Sequence, residues 1–219
     1  RQFGQHGAGI PLHTSGTVSE VGAQQGRLLA GQINEIQKSL QGNVTSSVSS
    51  KGLFGESLQN IRLRWRWRTL DDGIPGHQLV ELAALVRGAK KSGVSLGYES
   101  MVRQSAVFDV GAPAPESSGA GMWAMSRALT LIAPISSEQG NRLMVTRTLA
   151  MPGLEDGGEA IRNRTLLHIS RPSDALAHAS LGYPGLVGVF SGVNQASLGV
   201  FLHNVRSADV RLTREAQPS

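Results

Sequence analysis

Whatever chemistry this chain performs, it performs without a thiol. It contains no cysteine, which excludes a Cys nucleophile, a thiolate metal site and any disulfide within it. Its histidines, at positions 6, 13, 77, 168, 178 and 203, show no HExxH or comparable ligand spacing, so the sequence predicts neither a metal site nor a cofactor. Ser191 lies in Gly188-Val189-Phe190-Ser191-Gly192, which lacks the Gly-x-Ser-x-Gly spacing of a nucleophile elbow. The glycine-rich stretches form neither a dinucleotide nor a triphosphate loop. Glu155, Asp156 and Glu159 read most simply as a solvated acidic loop.

The densest charge pattern is Leu58 to Leu70. Ile61, Leu63, Trp65 and Trp67 alternate there with Arg62, Arg64, Arg66 and Arg68. The alternation has strand period, but Leu58, Ile61 and Trp65 also fit one helical stripe, and Leu63, Trp67 and Leu70 another. Interleaved Arg and Trp can grip phosphate backbones or anionic lipid. The same residues also suit an exposed element with indoles packed inward and guanidinia in water. An anionic surface is therefore one candidate partner.

The elements that must position these side chains follow from local signals. A chain with 40% hydrophobic and 17% charged residues is ordinary for a globular protein, and its length suffices to bury a core. A net charge of +5 favours anionic partners only in general terms. No apolar run is long enough to span a bilayer as a helix. The first residue is Arg1, which suggests that an upstream segment has been removed. Residues 1–16 read as an extended lead-in. Thr17-Val18-Ser19-Glu20 has capping-box form, and Val21, Leu29, Ile33, Ile36 and Leu40 continue at helical spacing towards an end near Gly42. Residues 41–57, rich in Ser and Gly, read as a loop. The sequons at Asn43 and Asn163 read as chance matches.

Pro75 opens a second helix. Leu79, Leu82, Ala83, Leu85, Val86 and Ala89 supply its apolar face, Lys90 and Lys91 its last turn, and Gly93 its stop. Ser95 is the expected cap of a third helix reaching about Ala106. Residues 109–121 read as a linker. From Ala128 to Gly153 the pattern is a β-hairpin: an apolar run, a turn over Ser136 to Asn141, and a second run. Leu143, Val145 and Arg147 fall on one face of that second run, and Met144, Thr146 and Thr148 on the other. Two further strands flank Pro172, over 164–170 and 175–181. Residue type alone makes Asn194 a turn residue that tolerates a left-handed backbone.

Four segments together resemble the N-terminal-nucleophile amidohydrolases of the penicillin acyltransferase and bile-salt hydrolase kind. Gly16 to Ile33 resembles the family's Gly-x-x-x-Glu-hydrophobic-Gly-x-x-x-Gly signature. Glu81 to Val102 resembles its helix ahead of the nucleophile. In the turn unit from Leu181 to Asn204, the most specific motif, Pro184, Gly185, Gly188, Gly192, Asn194, Leu198 and Gly199 match, whereas Gln195 and Ser197 stand where the family has Glu and Gly. The hairpin resembles the one that opens the catalytic chain. There the family has a Cys at the first strand and Gly-Arg-Asn-hydrophobic-Asp-aromatic-Pro after the second, and this chain has Thr146 to Pro152.

The resemblance implies an α+β fold: an N-terminal helical segment (1–108), a linker (109–127) and the first antiparallel sheet of an α-β-β-α sandwich (128–219). It also implies that a second polypeptide, a processed half or a separate subunit, completes the sandwich, because the fold needs about as much chain again. By the same resemblance, Ala128 occupies the nucleophile position, Ala150 that of the acid and Thr148 that of its Asn neighbour, while Arg147 and the oxyanion-hole Asn194 survive. A methyl group cannot attack an amide, and Thr130 lies too far inside the strand to carry a new amino terminus. The expectation is a catalytically inactive scaffold or subunit of an assembly. The alternative is an active amidohydrolase or acyltransferase whose partner chain brings the nucleophile.

Overall fold

The computed structural model describes residues 9–49, 73–106, 127–137, 140–150, 161 and 163–203. The Leu58 to Leu70 ladder, the 109–121 linker and the acidic loop after the hairpin lie outside these residues. A five-stranded sheet has the order β1-β4-β5-β6-β7, with β1 Ile10–Gly16, β4 Leu166–Pro172, β5 His178–Gly182, β6 Ser191–Asn194 and β7 Gly199–Phe201. A separate ribbon pairs β2 (Arg127–Ser137) with β3 (Gly140–Ala150). The helices are α1 Val18–Ser49, α2 Gly76–Lys91 and α3 Tyr98–Ala106.

The molecule is thus mixed α+β with a helical N-terminal segment, and four expectations need correction. The sheet is mixed rather than antiparallel. Residues 10–16, read as a lead-in, form its edge strand and pair in parallel with β4, Thr14 opposite Ser170. Leu12 and Thr14 turn inward as the flanking positions turn outward, so the segment buries one face against helix like any strand. The first helix does not stop near Gly42 but runs to Ser49. No proline follows to break it, and one interior glycine costs only about 1 kcal/mol. The third helix starts at Tyr98 and not after Ser95, with the Met101 amide bonded to the Gly97 carbonyl at 3.0 Å.

The β1–α1 turn follows the capping chemistry. The Glu20 carboxylate accepts from the Thr17 amide at 2.7 Å and the Thr17 hydroxyl at 2.9 Å, and the Thr17 oxygen accepts from the Glu20 amide at 3.3 Å. These bonds hold the carboxyl below its usual range. Gly16, at φ +107°, fits because the carboxylate folds back over its Cα, leaving no room for a Cβ. From there α1 returns over β1 and β4, and α2 packs along its other flank. Leu12, Leu29, Ile33, Leu82, Leu85, Met101 and Leu166 form one core. Tyr183 and Pro184 are buried beside it, where Gln104 donates to the Pro184 carbonyl at 3.1 Å and Tyr183 to the Gln104 carbonyl at 3.2 Å. Gly185 (φ +87°) sits under Gln104, Ile33 and Met101. The Pro-Gly pair of the turn unit is therefore where the helices clamp the sheet.

On α2 the half-buried Glu81 lies against Gly22 of α1, and desolvation alone raises its pKa to about 7. The unfolded chain releases this proton near 4.5 and the folded chain near 7. The Glu81 contribution to stability is therefore fully present below pH 4.5 and is lost as pH rises through 7, by about 2 kcal/mol after allowance for partial exposure. Urea melts of Glu81→Gln should match wild type at pH 4.5 and exceed it at pH 8. Equal gains at both pH values would show that ionisation is not the cause.

Candidate functional site

The site begins in the hairpin register. Arg127 pairs with Ala150, Ala128 with Leu149, Leu129 with Thr148 and Thr130 with Arg147. Directly opposed residues share a face of an antiparallel ribbon. Positions 128, 130 and 147 therefore fall on one face, and positions 148 and 150 on the other. The chain brings Ala128 and Ala150 to the same end of the hairpin but on opposite sides of it.

Arg147 ties this ribbon to the sheet. Its guanidinium donates to the Phe190 carbonyl, the Ser191 hydroxyl and the Leu202 carbonyl, so one side chain holds both strands of the β6–β7 unit. Its Nε is buried and unpartnered, and burial lowers its pKa from the usual value. Directly opposite, the Thr130 hydroxyl lies 2.9 Å from Nε2 of His203, just beyond β7. Thr130, Arg147, Ser191 and His203 thus form a polar junction around the free end of the sheet. His203 could not be tied to Arg147 from the sequence, because it joins through tertiary approach and has no spacing motif.

Asn194 stands at the far end of β6, about 10 Å of strand from Ser191. Its Oδ1 accepts from the amides of Ala196 and Leu198, both at 3.0 Å, and its own amide donates to the Leu198 carbonyl at 3.0 Å. Ser197, not Asn194, takes the left-handed conformation, at φ 64°. The carbonyl end of the Asn194 side chain closes the turn, as an Asx residue does. It makes no hydrogen bond to Arg147.

A second polar group lies on the inner face of the sheet. Thr14, His168, Ser170 and Ser180 are buried there, with His178 at their side. Thr14 Oγ1 is 2.8 Å from Nε2 of His168 and 3.4 Å from the Ser170 hydroxyl. Desolvation, with repulsion from His178 second, lowers the His168 pKa to about 4, so the ring is neutral at pH 7. Alternation marks His168 and Ser170 as sharing a face. Only the parallel partner β1 makes that face internal.

Compared with protein-family models and with curated proteins, the sequence matches none.

Proposed function

We propose that this chain is a catalytically silent scaffold of the N-terminal-nucleophile type, working as one subunit of an assembly whose other polypeptide completes the sandwich. The observation that carries this reading is the sheet's second face. Helix α1 covers one side, while Leu167, Leu181 and Val193 project from the other, Leu181 and Val193 each about half exposed. The hairpin adds Leu129 at 71% and Leu143 at 73% exposure. A sheet with apolar residues on both faces needs a layer on each, and in an α-β-β-α sandwich the missing layer is the second sheet. The alanines at 128 and 150 support silence: neither can attack a carbonyl, hold a proton or stabilise charge.

The assembly, purified from its source, should be assayed for amide hydrolysis, and each of its chains sequenced from the amino terminus. The expected result is no turnover, no cleavage between Arg127 and Ala128, and a stoichiometric second polypeptide. Turnover traced to a partner beginning with Cys, Ser or Thr would establish the active alternative instead. Charging the open face with Leu181→Glu and Val193→Glu should release the partner while leaving the helical circular dichroism unchanged. Retention of the partner by this double variant would refute the proposed contact.

A further inference from the structure

We propose that the free edge of β3 pairs antiparallel with the same edge of a second copy of this chain, joining two ribbons into one sheet about a twofold axis at Met144. Pro134 fixes which backbone groups face that edge. A proline has no N–H, so it does not stand where an antiparallel pair exchanges both hydrogen bonds. Pro134 pairs with Leu143. That pair is therefore of the non-hydrogen-bonded kind, and the backbone groups of both residues point outward. The pattern repeats every second residue. The amides and carbonyls of Leu143, Val145 and Arg147 thus point to the outer edge of β3, and those of Ile132 and Thr130 to the outer edge of β2. Among the described residues no strand pairs with either edge.

The described strand edges are not equally open. That of β2 lacks a donor at Pro134. In β1 the Ile10 amide donates inward to the Thr165 carbonyl at 2.7 Å, so Pro11 faces outward and that edge lacks a donor too. Strand β7 has only 3 residues. Short strands and edge prolines are the usual devices against unwanted pairing. Strand β3 has 11 residues and no proline. Its consecutive residues Leu143, Met144 and Val145 are all exposed, so it shows apolar side chains on both faces, as do Leu131 and Ile132 across the ribbon. A ribbon of two strands is marginal in water, and a long apolar edge is a template for another strand.

The occupant is a second copy because this edge complements itself. In the register centred on Met144, Leu143 lies opposite Val145 of the second copy, Met144 opposite Met144, and Arg142 opposite Thr146. Leu143 and Val145 then exchange their outward amide–carbonyl bonds, and apolar residues meet across the strands on both faces. Parallel pairing in register would set Arg142 against Arg142. The antiparallel register holds those two guanidinia four residues apart, about 13 Å, beyond the screening length of about 8 Å at physiological salt. Twofold pairing consumes the open edge of each copy, and Pro134 blunts the other ribbon edge, so assembly closes at two chains. The ties of the ribbon to its own sheet run through Thr130 and Arg147 at its base. Pairing at Met144 is made at an edge, so the outer face of the five-stranded sheet stays open to the second polypeptide.

The full chain should be measured by sedimentation velocity at micromolar concentration, and as Met144→Cys and Thr148→Cys after mild oxidation. The chain has no cysteine, so each variant carries a single thiol. In the proposed register the two Cα atoms at 144 lie about 4.5 Å apart, within disulfide reach. Thr148 is exposed on the same face of β3, but its two copies lie about 27 Å apart. The expected result is a dimer that Met144→Cys locks covalently and Thr148→Cys does not. Val145→Pro removes only an outward donor, so it should weaken dimerisation at least tenfold with the circular dichroism unchanged. Hydrogen exchange on the unaltered chain should show the Leu143 and Val145 amides protected at high concentration and exchanging at low. A wild-type monomer at high micromolar concentration, equal cross-linking of both cysteine variants, or a dimer indifferent to Val145→Pro would overturn the pairing. Protection of those amides by a different co-purifying polypeptide alone would overturn it too, and assign the edge to that chain.

Discussion

Replacing Gly26 by alanine is expected to cost about 3 kcal/mol, a fall in Tm of about 6–12 °C for a chain of this size. The loss comes from geometry rather than from helix propensity, which alone would favour alanine. A Cβ on residue 26 would lie 2.7 Å from the Leu85 carbonyl carbon and 2.9 Å from its Cα, both backbone atoms that cannot rotate aside. Gly88 on α2 is the reciprocal contact, its Cβ falling 2.9 Å from the Ala23 carbonyl carbon. The two helices touch backbone to backbone there, and separating them would open the core around Leu82, Leu85 and Ile33. Gly31 is the internal control. It is exposed on the same helix, and a methyl group added there would meet nothing within 4 Å, so Gly31→Ala should stabilise by about 0.5–1 kcal/mol. Thermal melts of the two variants in parallel test the crossing. A neutral Gly26→Ala would mean that α1 and α2 stand too far apart for their backbones to touch.

Arg147→Lys should release the hairpin from the sheet while leaving the helical core folded. The guanidinium serves acceptors at three residues, Phe190, Ser191 and Leu202. A lysine ammonium is a single point of charge and cannot span them. Charge-assisted hydrogen bonds are worth about 1.5–3 kcal/mol each against water, and partial exposure reduces the sum. We expect a local loss of about 2–3 kcal/mol, read as an approximately hundredfold drop in hydrogen-exchange protection across β2, β3 and β7. Protection in α1 and α2 should be unchanged, because their contacts do not pass through Arg147. Arg147→Met should lower the same protection. A uniform loss across all elements, or none, would show that Arg147 is not the tie between ribbon and sheet.

Local signals specified local structure well. The Thr17–Glu20 capping box, the α2 boundaries and the period-two hairpin are each encoded within a few residues, so the physics that forms them is visible in a short window. The glycines of the Gly22-Ala23-Gln24-Gln25-Gly26 signature could be recognised, but their purpose, a backbone contact with α2, required the partner helix. The structure moves two expected boundaries: at Gly42 a single interior glycine costs too little to stop a helix, and at Ser95 the first helical bond is accepted by the Gly97 carbonyl instead. Residue type makes Asn194 a left-handed turn residue and the resemblance makes it an oxyanion donor; in the structure its Oδ1 accepts from the Ala196 and Leu198 amides within the turn, and the left-handed residue is Ser197.

By itself the sequence determined that no thiol chemistry occurs within this chain, that positions 128 and 150 hold alanine, and where the helices and the hairpin lie. Those properties reside in side-chain identity and short-range periodicity. Only the tertiary structure decided that residues 10–16 join β4 in parallel, that Arg147 meets Phe190 and Leu202, and that Thr14 meets His168 in a buried layer. Each of these contacts joins residues far apart along the chain, and the free energy that selects them comes from burying surfaces that no local stretch contains.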